Sequence, residues 1–314
     1  MLTEPSQQPA IFLMGPTAAG KTEAAIRLHE QHRADIISVD SALVYRGMDI
    51  GTAKPDVKTL QRAPHALIDI REPWQPYSAS DFQDDAKALM QQSWQNNRIP
   101  LLAGGTMLYY KALQQGLSSL PSADESIRAD IARQAAEKGW PALHQRLQEI
   151  DPDSAERIHA NDSQRLSRAL EVYEITGQTL TELYAQDSEQ SLAAKPLKII
   201  IAPKDRAVLH QRIEQRFKQM LNQGFLDEVK ALLADERNHA DLPAMRSVGY
   251  RQAIEHLNGE TDYDAFVFKG IVATRQLAKR QITWLRKERD AIWLDPTKRD
   301  YLQTLDQRVG EYVL

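Results

Sequence analysis

One short motif near the amino terminus restricts the fold of this chain more than any other feature. Residues 15–22 read Gly-Pro-Thr-Ala-Ala-Gly-Lys-Thr, which matches the pattern G-x-x-x-x-G-K-[ST] of a phosphate-binding loop, the P-loop. The apolar run from Ile11 to Met14 precedes it, and the amphipathic run from Glu23 to Leu28 follows it. A strand, a glycine-rich loop and a helix in this order predict a βα unit whose loop binds phosphate.

The same alternation of short apolar runs and amphipathic segments continues beyond the motif. Further strands are predicted at 35–39, 66–70, 99–103, 197–202 and 292–294. Phe82, Ala86, Leu89 and Met90 have helical spacing, and Ser80 with Gln83 predicts the capping box that starts this helix. This order predicts an α/β fold, a P-loop NTPase-like core with a mostly parallel sheet flanked by helices.

Strand patterns are missing from the middle of the chain. Residues 121–196 carry only helical patterns, the clearest running from Asp162 to Gly177. We therefore expect a small all-helical insertion domain at 121–196, and a catalytic core made of 1–120 and 197–314.

The P-loop predicts the chemistry of the site as well as its fold. Its glycines let backbone N–H groups turn toward phosphate oxygens, Lys21 neutralises charge and Thr22 can ligate Mg²⁺. Because the loop recognises phosphate and not adenine, a kinase, an NTPase and a transferase that releases diphosphate all remain open. The predicted binding residues are Gly15, Pro16, Thr17, Ala18, Ala19, Gly20, Lys21 and Thr22.

Candidate acids and hydroxyls follow the other predicted strands. Asp40 closes the second strand, where ligands of parallel sheets lie, so it is the first candidate for a general base. A helix N-cap or an acid near Mg²⁺ explains that position equally well. Asp69 ranks second, as a strand-ending acid or a mere terminus, and Gly104-Gly105-Thr106 is either part of the site or a tight turn.

Charge is distributed unevenly along the chain. The net charge is −4, yet residues 268–289 contain seven basic residues and one acid, Glu288. Arg275, Lys279, Thr283 and Arg286 share one helical stripe, which could follow an RNA backbone or be a solvated face. The absence of cysteine excludes disulfides and thiolate metal sites and fits a cytoplasmic protein, and no apolar run approaches the roughly 20 residues of a membrane span.

Several longer motifs together resemble the tRNA dimethylallyltransferase (isopentenyltransferase, IPP transferase) family of the bacterial type. These motifs are the P-loop, the run Asp-Ser-Ala-Leu-Val-Tyr-Arg-Gly-Met-Asp-Ile-Gly-Thr-Ala-Lys-Pro at 40–55, and the segments 103–106, 162–171, 246–252 and 274–286. The resemblance covers the chain from Ile11 to about Leu294. Ala19 stands where many relatives have serine, and Leu43 where glutamine is common.

The resemblance implies transfer of a dimethylallyl group from its diphosphate to the exocyclic amine of the adenosine 3′ of the anticodon. The tRNAs concerned read codons that begin with U. The P-loop would then hold the donor's diphosphate with Mg²⁺ and without ATP hydrolysis. Asp40 would take the amine proton, Thr22 would ligate the ion, and Arg216 would add positive charge at the leaving group.

The resemblance also implies which residues contact the tRNA anticodon stem-loop, and it favours the RNA-contact interpretation of the basic stripe. The partners would be tRNA and dimethylallyl diphosphate, with no membrane, and a monomer is expected. The implied tRNA-binding residues are Asp40, Ser41, Ala42, Leu43, Thr106, Arg128, Gln164, Arg165, Leu166, Ser167, Arg168, Arg246, Ser247, Val248, Gly249, Tyr250, Arg251, Lys279, Arg280, Gln281, Ile282, Thr283, Trp284, Leu285 and Arg286.

Two other functions compete with this one. A P-loop kinase for a small molecule or nucleoside would use Asp40 to activate a hydroxyl, but it leaves the basic stripe without a role. A non-catalytic RNA-binding module of NTPase-like fold explains the basic residues but makes Asp40 incidental.

Overall fold

A computed structural model describes residues 8–116, 120–121, 123–186, 192 and 194–313 of the chain. It separates into two compact units, Met1–Ala112 with Ala193–Leu314, and Leu113–Leu192. Residues 117–119 and 122, beside the predicted boundary at 120/121, lie outside the described residues.

The first unit contains a six-stranded sheet in the order β3-β2-β4-β1-β5-β6, in which every pairing is parallel. The predicted α/β class with a mostly parallel sheet is confirmed. The strands are β1 (Ile11–Met14), β2 (Ala34–Val39), β3 (His65–Ala66), β4 (Ile99–Gly104), β5 (Leu197–Ile201) and β6 (Ile292–Leu294). The helices of this part of the chain are α1 (Lys21–His32), α2 (Val57–Arg62), α3 (Ala79–Gln95), α4 (Met107–Gln115), α10 (Arg206–Asn222), α11 (Phe225–Leu233), α12 (Tyr250–Leu257), α13 (Tyr263–Leu285) and α14 (Tyr301–Val313).

Both faces of the sheet are buried, and β1 shows how. Ile11 and Leu13 pack in one apolar cluster with Leu28 of α1 and Leu305 of α14. Phe12 points to the other face, because successive side chains alternate along a strand, and its ring lies 5.2 Å from that of Tyr110 in α4. Burial on both faces explains why β1 is a continuous apolar run with no polar residue.

The third strand is shorter than predicted. The expected strand at 66–70 ends at Ala66, because Leu67 and Asp69 take left-handed φ angles of 64° and 55°. The chain then follows the 43–45 loop, where the Ile70 amide donates to the Val44 carbonyl oxygen at 2.9 Å. Asp69 consequently forms an ion pair with Lys54 and does not end a strand at the edge of the sheet.

The capping box of α3 also differs from the prediction. Ser78 and not Ser80 is the N-cap, and its partner is Asp81 and not Gln83. Gln83 is instead buried, and its Nε2 donates to the carbonyl oxygen of Ala112 at 2.7 Å.

The second unit is helical throughout its described residues. Leu143, Leu147, Leu166 and Leu170 belong to its apolar core. The predicted helix from Asp162 to Gly177 is confirmed, with Asp162 as N-cap and Gly177 as left-handed C-cap. Its helices are α5 (Glu125–Lys138), α6 (Trp140–Ile150), α7 (Pro152–Arg157), α8 (Ser163–Thr176) and α9 (Leu180–Gln186). Among the described residues, no helix has both the length and the apolar composition that crossing a membrane requires.

Two glycines inside helices of the first unit test the packing. A Cβ on Gly270 in α13 would overlap the buried ring of Phe217, whereas a Cβ on Gly310 in α14 would meet nothing within 4 Å. We expect Gly310→Ala to raise the free energy of unfolding by up to about 1 kcal/mol through helix propensity. Gly270→Ala should lower it by about 1 kcal/mol or more through overpacking. Denaturant unfolding measures both, and a stabilised Gly270→Ala protein would contradict the contact with Phe217.

Candidate functional site

The P-loop lies at the carboxyl end of β1, where it joins α1. Gly15 must be glycine, since a Cβ there would overlap the carbonyl oxygen of Ile201 at the end of the neighbouring β5. Gly20 takes a φ of 94° and is the N-cap of α1. The amino terminus of α1 therefore faces the space in front of the loop, as an anion site requires.

Lys21 lies folded back over the loop. Its Nζ donates to the carbonyl oxygens of Gly15 at 2.9 Å and Pro16 at 2.8 Å. Burial lowers the pKa of Lys21 to about 8; the carboxylate of Asp40 acts in the opposite direction and the guanidinium of Arg216 in the same one. The negative charge near Lys21 is therefore too small to offset the burial of its ammonium group.

Arg216 reaches the loop from α10. Its Nη2 donates to the carbonyl oxygen of Thr52 at 2.9 Å, and its Nη1 lies 3.5 Å from the hydroxyl of Thr17. Burial lowers the pKa of Arg216, and the charge of Asp40 opposes that shift. Lys21 and Arg216 are thus two desolvated cations beside one carboxylate, that of Asp40. A bound anion would offset the excess positive charge.

Asp40 follows the last residue of β2, and one of its carboxylate oxygens binds the backbone of the turn that comes next. Its Oδ1 accepts hydrogen bonds from the amides of Ala42 at 2.9 Å and Leu43 at 3.3 Å, so it fixes the turn after the strand. Within the described residues those bonds use Oδ1 only. The second carboxylate oxygen is therefore available for chemistry.

Thr106 lies beside this turn, at the end of β4. Its hydroxyl oxygen accepts a hydrogen bond from the Ser41 amide at 3.0 Å. Gly104 allows the approach, since a Cβ there would overlap the backbone of Val39 in β2. The expected gathering of the P-loop, Asp40 and Thr106 at one sheet edge is what the structure shows.

Two cavities open at this edge, and they meet around Asp40. The first, of about 510 Å³, is lined by the P-loop with Ser38 and Arg212. The second, of about 530 Å³, has more apolar walls, including Phe217, Met220, Leu277 and Trp284. Asp69 lines neither. Both cavities are bordered by Thr17, Ala18, Asp40, Thr52, Gly105, Arg216 and Gln281.

The segment 246–251, predicted to contact RNA, lines the second cavity along most of its length. Arg246, Ser247, Val248, Gly249 and Tyr250 border it, and Arg251 does not. The Tyr250 side chain is buried, and its hydroxyl donates to Glu228 at 2.5 Å. This tyrosine therefore shapes the cavity wall.

The segment 279–286 is the last part of α13 and has two sides. Lys279, Thr283 and Arg286 are exposed. Gln281 and Leu285 are buried, and Arg280 and Trp284 border the second cavity. Arg275, one turn earlier, is paired with Glu214 at 3.0 Å.

Two of the predicted RNA contacts of the second unit, Arg128 and Arg168, bind one buried acid, Glu171. Arg128 donates to it at 2.8 Å and Arg168 at 2.7 Å, and the Asp124 amide also donates. Burial alone would raise the pKa of Glu171, but these bonds, first that of Arg168, hold the pKa below its ordinary value. Leu166 is in the apolar core, whereas Arg165 is 67% exposed.

Two residues of the site were not anticipated in the role they have. Glu228 of α11 accepts hydrogen bonds from the amides of Asp49, Ile50 and Gly51 at 3.0, 2.6 and 3.1 Å, and so holds the loop that carries Thr52. Gln281 bonds to the P-loop itself. No local pattern marks either one, because the loops that they hold lie more than 170 residues away along the chain.

Comparisons with known proteins agree on one family. A family model described as IPP transferase matches residues 43–288. The chain is similar to the tRNA isopentenylpyrophosphate transferase of Bacillus halodurans, with 32% identity and a TM-score of 0.71 over 98% of this chain and 97% of that one. It is similar to the tRNA delta(2)-isopentenylpyrophosphate transferase of Staphylococcus epidermidis, with 30% identity and a TM-score of 0.70 over 97% and 98%. A eukaryotic dimethylallyltransferase acting on tRNA has the same fold, with a TM-score of 0.80, 23% identity and coverage of 96% and 77%.

The lowered pKa of Lys21 predicts how anion binding depends on pH. Below about pH 8 the Lys21 side chain already carries its positive charge. Above that pH it is mostly neutral, so it must take up a proton when an anion binds. We therefore expect the affinity for inorganic pyrophosphate to fall above pH 8, by up to about tenfold per pH unit. Calorimetric titration of wild type and Lys21→Met separates this effect from the ionisation of pyrophosphate. An advantage of wild type over Lys21→Met that stays constant from pH 7 to 9.5 would contradict the prediction.

Proposed function

This chain belongs to the IPP transferase family, and we propose that it transfers a dimethylallyl group from dimethylallyl diphosphate to the exocyclic amine of the adenosine 3′ of the anticodon. Its substrates are tRNAs that read codons beginning with U. The observation that carries the proposal is the meeting of a cationic, P-loop-lined cavity and a more apolar cavity at the carboxylate of Asp40.

The donor's diphosphate fits the first cavity. Lys21 and Arg216 are desolvated cations there, and the hydroxyl of Thr17 lies beside Arg216. As the allylic C–O bond breaks, negative charge grows on the departing diphosphate. Cations already in place stabilise that charge without reorganisation.

Mg²⁺ fits the same cavity through its oxygen donors. The hydroxyls of Thr22 and Ser38 and the carboxylate of Asp40 border it. Mg²⁺ usually binds through one or two protein oxygens, several waters and the phosphates of the substrate, so we propose that the diphosphate supplies further ligands. We assign Thr22 as the protein ligand. When bound, Mg²⁺ neutralises part of the leaving group's charge.

We assign Asp40 as the residue that accepts the proton released in the reaction. The exocyclic nitrogen of adenine forms the new N–C bond as the C–O bond to diphosphate breaks, and it then holds one proton too many. The turn amides of Ala42 and Leu43 orient the Asp40 carboxylate through Oδ1, which leaves Oδ2 to accept that proton.

The second cavity suits the adenine and the prenyl group. Its volume lies in the usual range for a ligand site, and Phe217 and Trp284 offer aromatic surface. An adenine can enter only after leaving its stack, which costs less in a single-stranded loop than in a duplex.

The exposed basic residues suit RNA phosphates. In the first unit, Lys279 and Arg286 lie on the open side of α13, whose other side borders the second cavity. In the second unit, Arg165 is free of the Glu171 cluster. Phosphate contacts of this kind position RNA without reading its sequence.

The proposal is tested by incubating the protein with Mg²⁺, labelled dimethylallyl diphosphate and unmodified tRNA without ATP, and counting label in the RNA. Wild type should incorporate label, and Lys21→Ala should not. Asp40→Asn, which keeps Oδ1 for the turn, should slow transfer by roughly 10²- to 10⁴-fold while retaining pyrophosphate binding. No label in the RNA, together with ATP turnover stimulated by a small hydroxylated compound, would show a kinase instead.

The two arginines of α8 should behave differently. Arg165→Ala should weaken tRNA binding and leave the free energy of unfolding unchanged. The slope of log affinity for tRNA against log salt concentration should decrease by about 1, which corresponds to the loss of one phosphate contact. Arg168→Ala removes a donor from buried Glu171 and should lower the unfolding free energy by about 1 to 3 kcal/mol. Filter binding over a salt series and denaturant unfolding measure the two effects. Equal loss of stability in both variants would contradict this distinction.

A further inference from the structure

The side chain of Gln281 connects two loops of the first unit. Its side chain, only 9% exposed, lies between the P-loop and the turn that follows β4. Its Oε1 accepts a hydrogen bond from the Thr17 amide at 2.9 Å, and its Nε2 donates to the Gly105 carbonyl oxygen at 2.9 Å. Both ends of one amide are therefore used by backbone groups of the two loops that border the cavities.

The contact determines which part of Thr17 faces the diphosphate. The Thr17 amide is occupied by Gln281, so this position offers its hydroxyl, which lies 3.5 Å from Nη1 of Arg216. The other end of Gln281 holds the turn that leads to Thr106, whose hydroxyl in turn accepts from the Ser41 amide. One side chain thus connects the donor loop with the segment next to Asp40.

Packing around Gln281 leaves little freedom. A Cβ on Gly105 would lie 2.5 Å from the Gln281 Nε2 and 3.1 Å from the Gly15 carbonyl oxygen. The turn at Gly105 can approach the P-loop this closely only because it carries no side chain. At this separation the Gln281 amide spans the gap between the two loops.

From this geometry we propose that Gln281 is a positioning residue for the transfer reaction. It holds the P-loop and the β4 turn at the spacing at which Thr17, Arg216 and Asp40 can act on one donor. The effect on transfer rests on the proposed function. The effect on the P-loop can be measured without the transfer reaction, through the affinity for pyrophosphate. Gln281 is therefore a brace between two loops of the first unit.

Loss of the amide should affect the site more than the fold. Gln281→Met keeps the length of the side chain but leaves the Thr17 amide and the Gly105 carbonyl without their partner. The loops then relax, and small displacements of groups that bind the leaving group have large kinetic consequences. We expect kcat/KM for dimethylallyl diphosphate to fall roughly 10- to 100-fold, and the Kd for Mg²⁺-pyrophosphate to rise.

Gln83 supplies a matched control. It is also a buried glutamine of the first unit, 5% exposed, and its Nε2 also donates to a backbone carbonyl, that of Ala112, at 2.7 Å. It borders neither cavity. Gln83→Met removes one buried hydrogen bond where Gln281→Met removes two, so it should lower thermal stability while leaving the pyrophosphate Kd and the donor KM at wild-type values.

A second variant separates the two bonds. Gln281→Glu keeps an oxygen for the Thr17 amide but cannot donate to Gly105 when ionised. Its negative charge would oppose pyrophosphate, so any affinity it regains over Gln281→Met comes from the Thr17 bond. Because the lost Gly105 bond and the added charge both oppose binding, we expect the pyrophosphate Kd of Gln281→Glu to be weakened as well.

The Kd for Mg²⁺-pyrophosphate, the steady-state kinetics and the thermal unfolding are measured for wild type, Gln281→Met, Gln281→Glu and Gln83→Met. Titration calorimetry gives the Kd. Wild-type pyrophosphate affinity in Gln281→Met, or a loss equal to that of Gln83→Met, would overturn the inference. A weakened Kd confined to the Gln281 variants supports it even if wild type transfers no label to tRNA. That last result would refute only the proposed transfer.

Discussion

The parallel pairing of β1, β2 and β4 is the constraint on which the candidate site depends. Met14 of β1 and Val39 of β2 are both level with Gly104 of β4, so the three strands end together. The P-loop, Asp40 and Thr106 each follow directly after one of these ends. Parallel strands deliver their connections to the same edge, and a register shift of one residue would turn each strand's buried side chains to the other face.

The charges at that edge explain why the site needs a ligand. Lys21 and Arg216 are both desolvated, and Asp40 is the carboxylate that favours the charged form of each. Burying cations without enough counter-charge is unfavourable, so the free protein stores an electrostatic cost there. In the proposed reaction a diphosphate supplies the missing negative charge, and the same two cations stabilise the charge that grows on it as it leaves. Binding and catalysis thus use one arrangement of charge.

Local patterns predicted the elements better than they predicted the turns. The bounds of β1 and β6 and the caps of α8 follow from apolar runs and from capping residues beside them. The strand expected at 66–70 was wrong because Leu67 and Asp69 adopt left-handed angles, which residue preferences do not anticipate. Ser78 with Asp81 and Ser80 with Gln83 both satisfy the capping-box spacing, and only the path of the chain decides between them.

The sequence also did not predict which side chains hold the loops of the site, because these side chains come from the second half of the chain. A motif identifies Thr17, Asp40 and Thr106, but it does not say what holds them, because that depends on packing between distant segments. Arg216 and Glu228 hold the 49–52 loop from α10 and α11, and Gln281 holds the P-loop from α13. A buried glutamine with both ends satisfied looks, in sequence, like one more polar residue of a basic stripe. The chain after residue 197 therefore completes the site by fixing loops that the first hundred residues provide, which is why the P-loop alone does not specify a reaction.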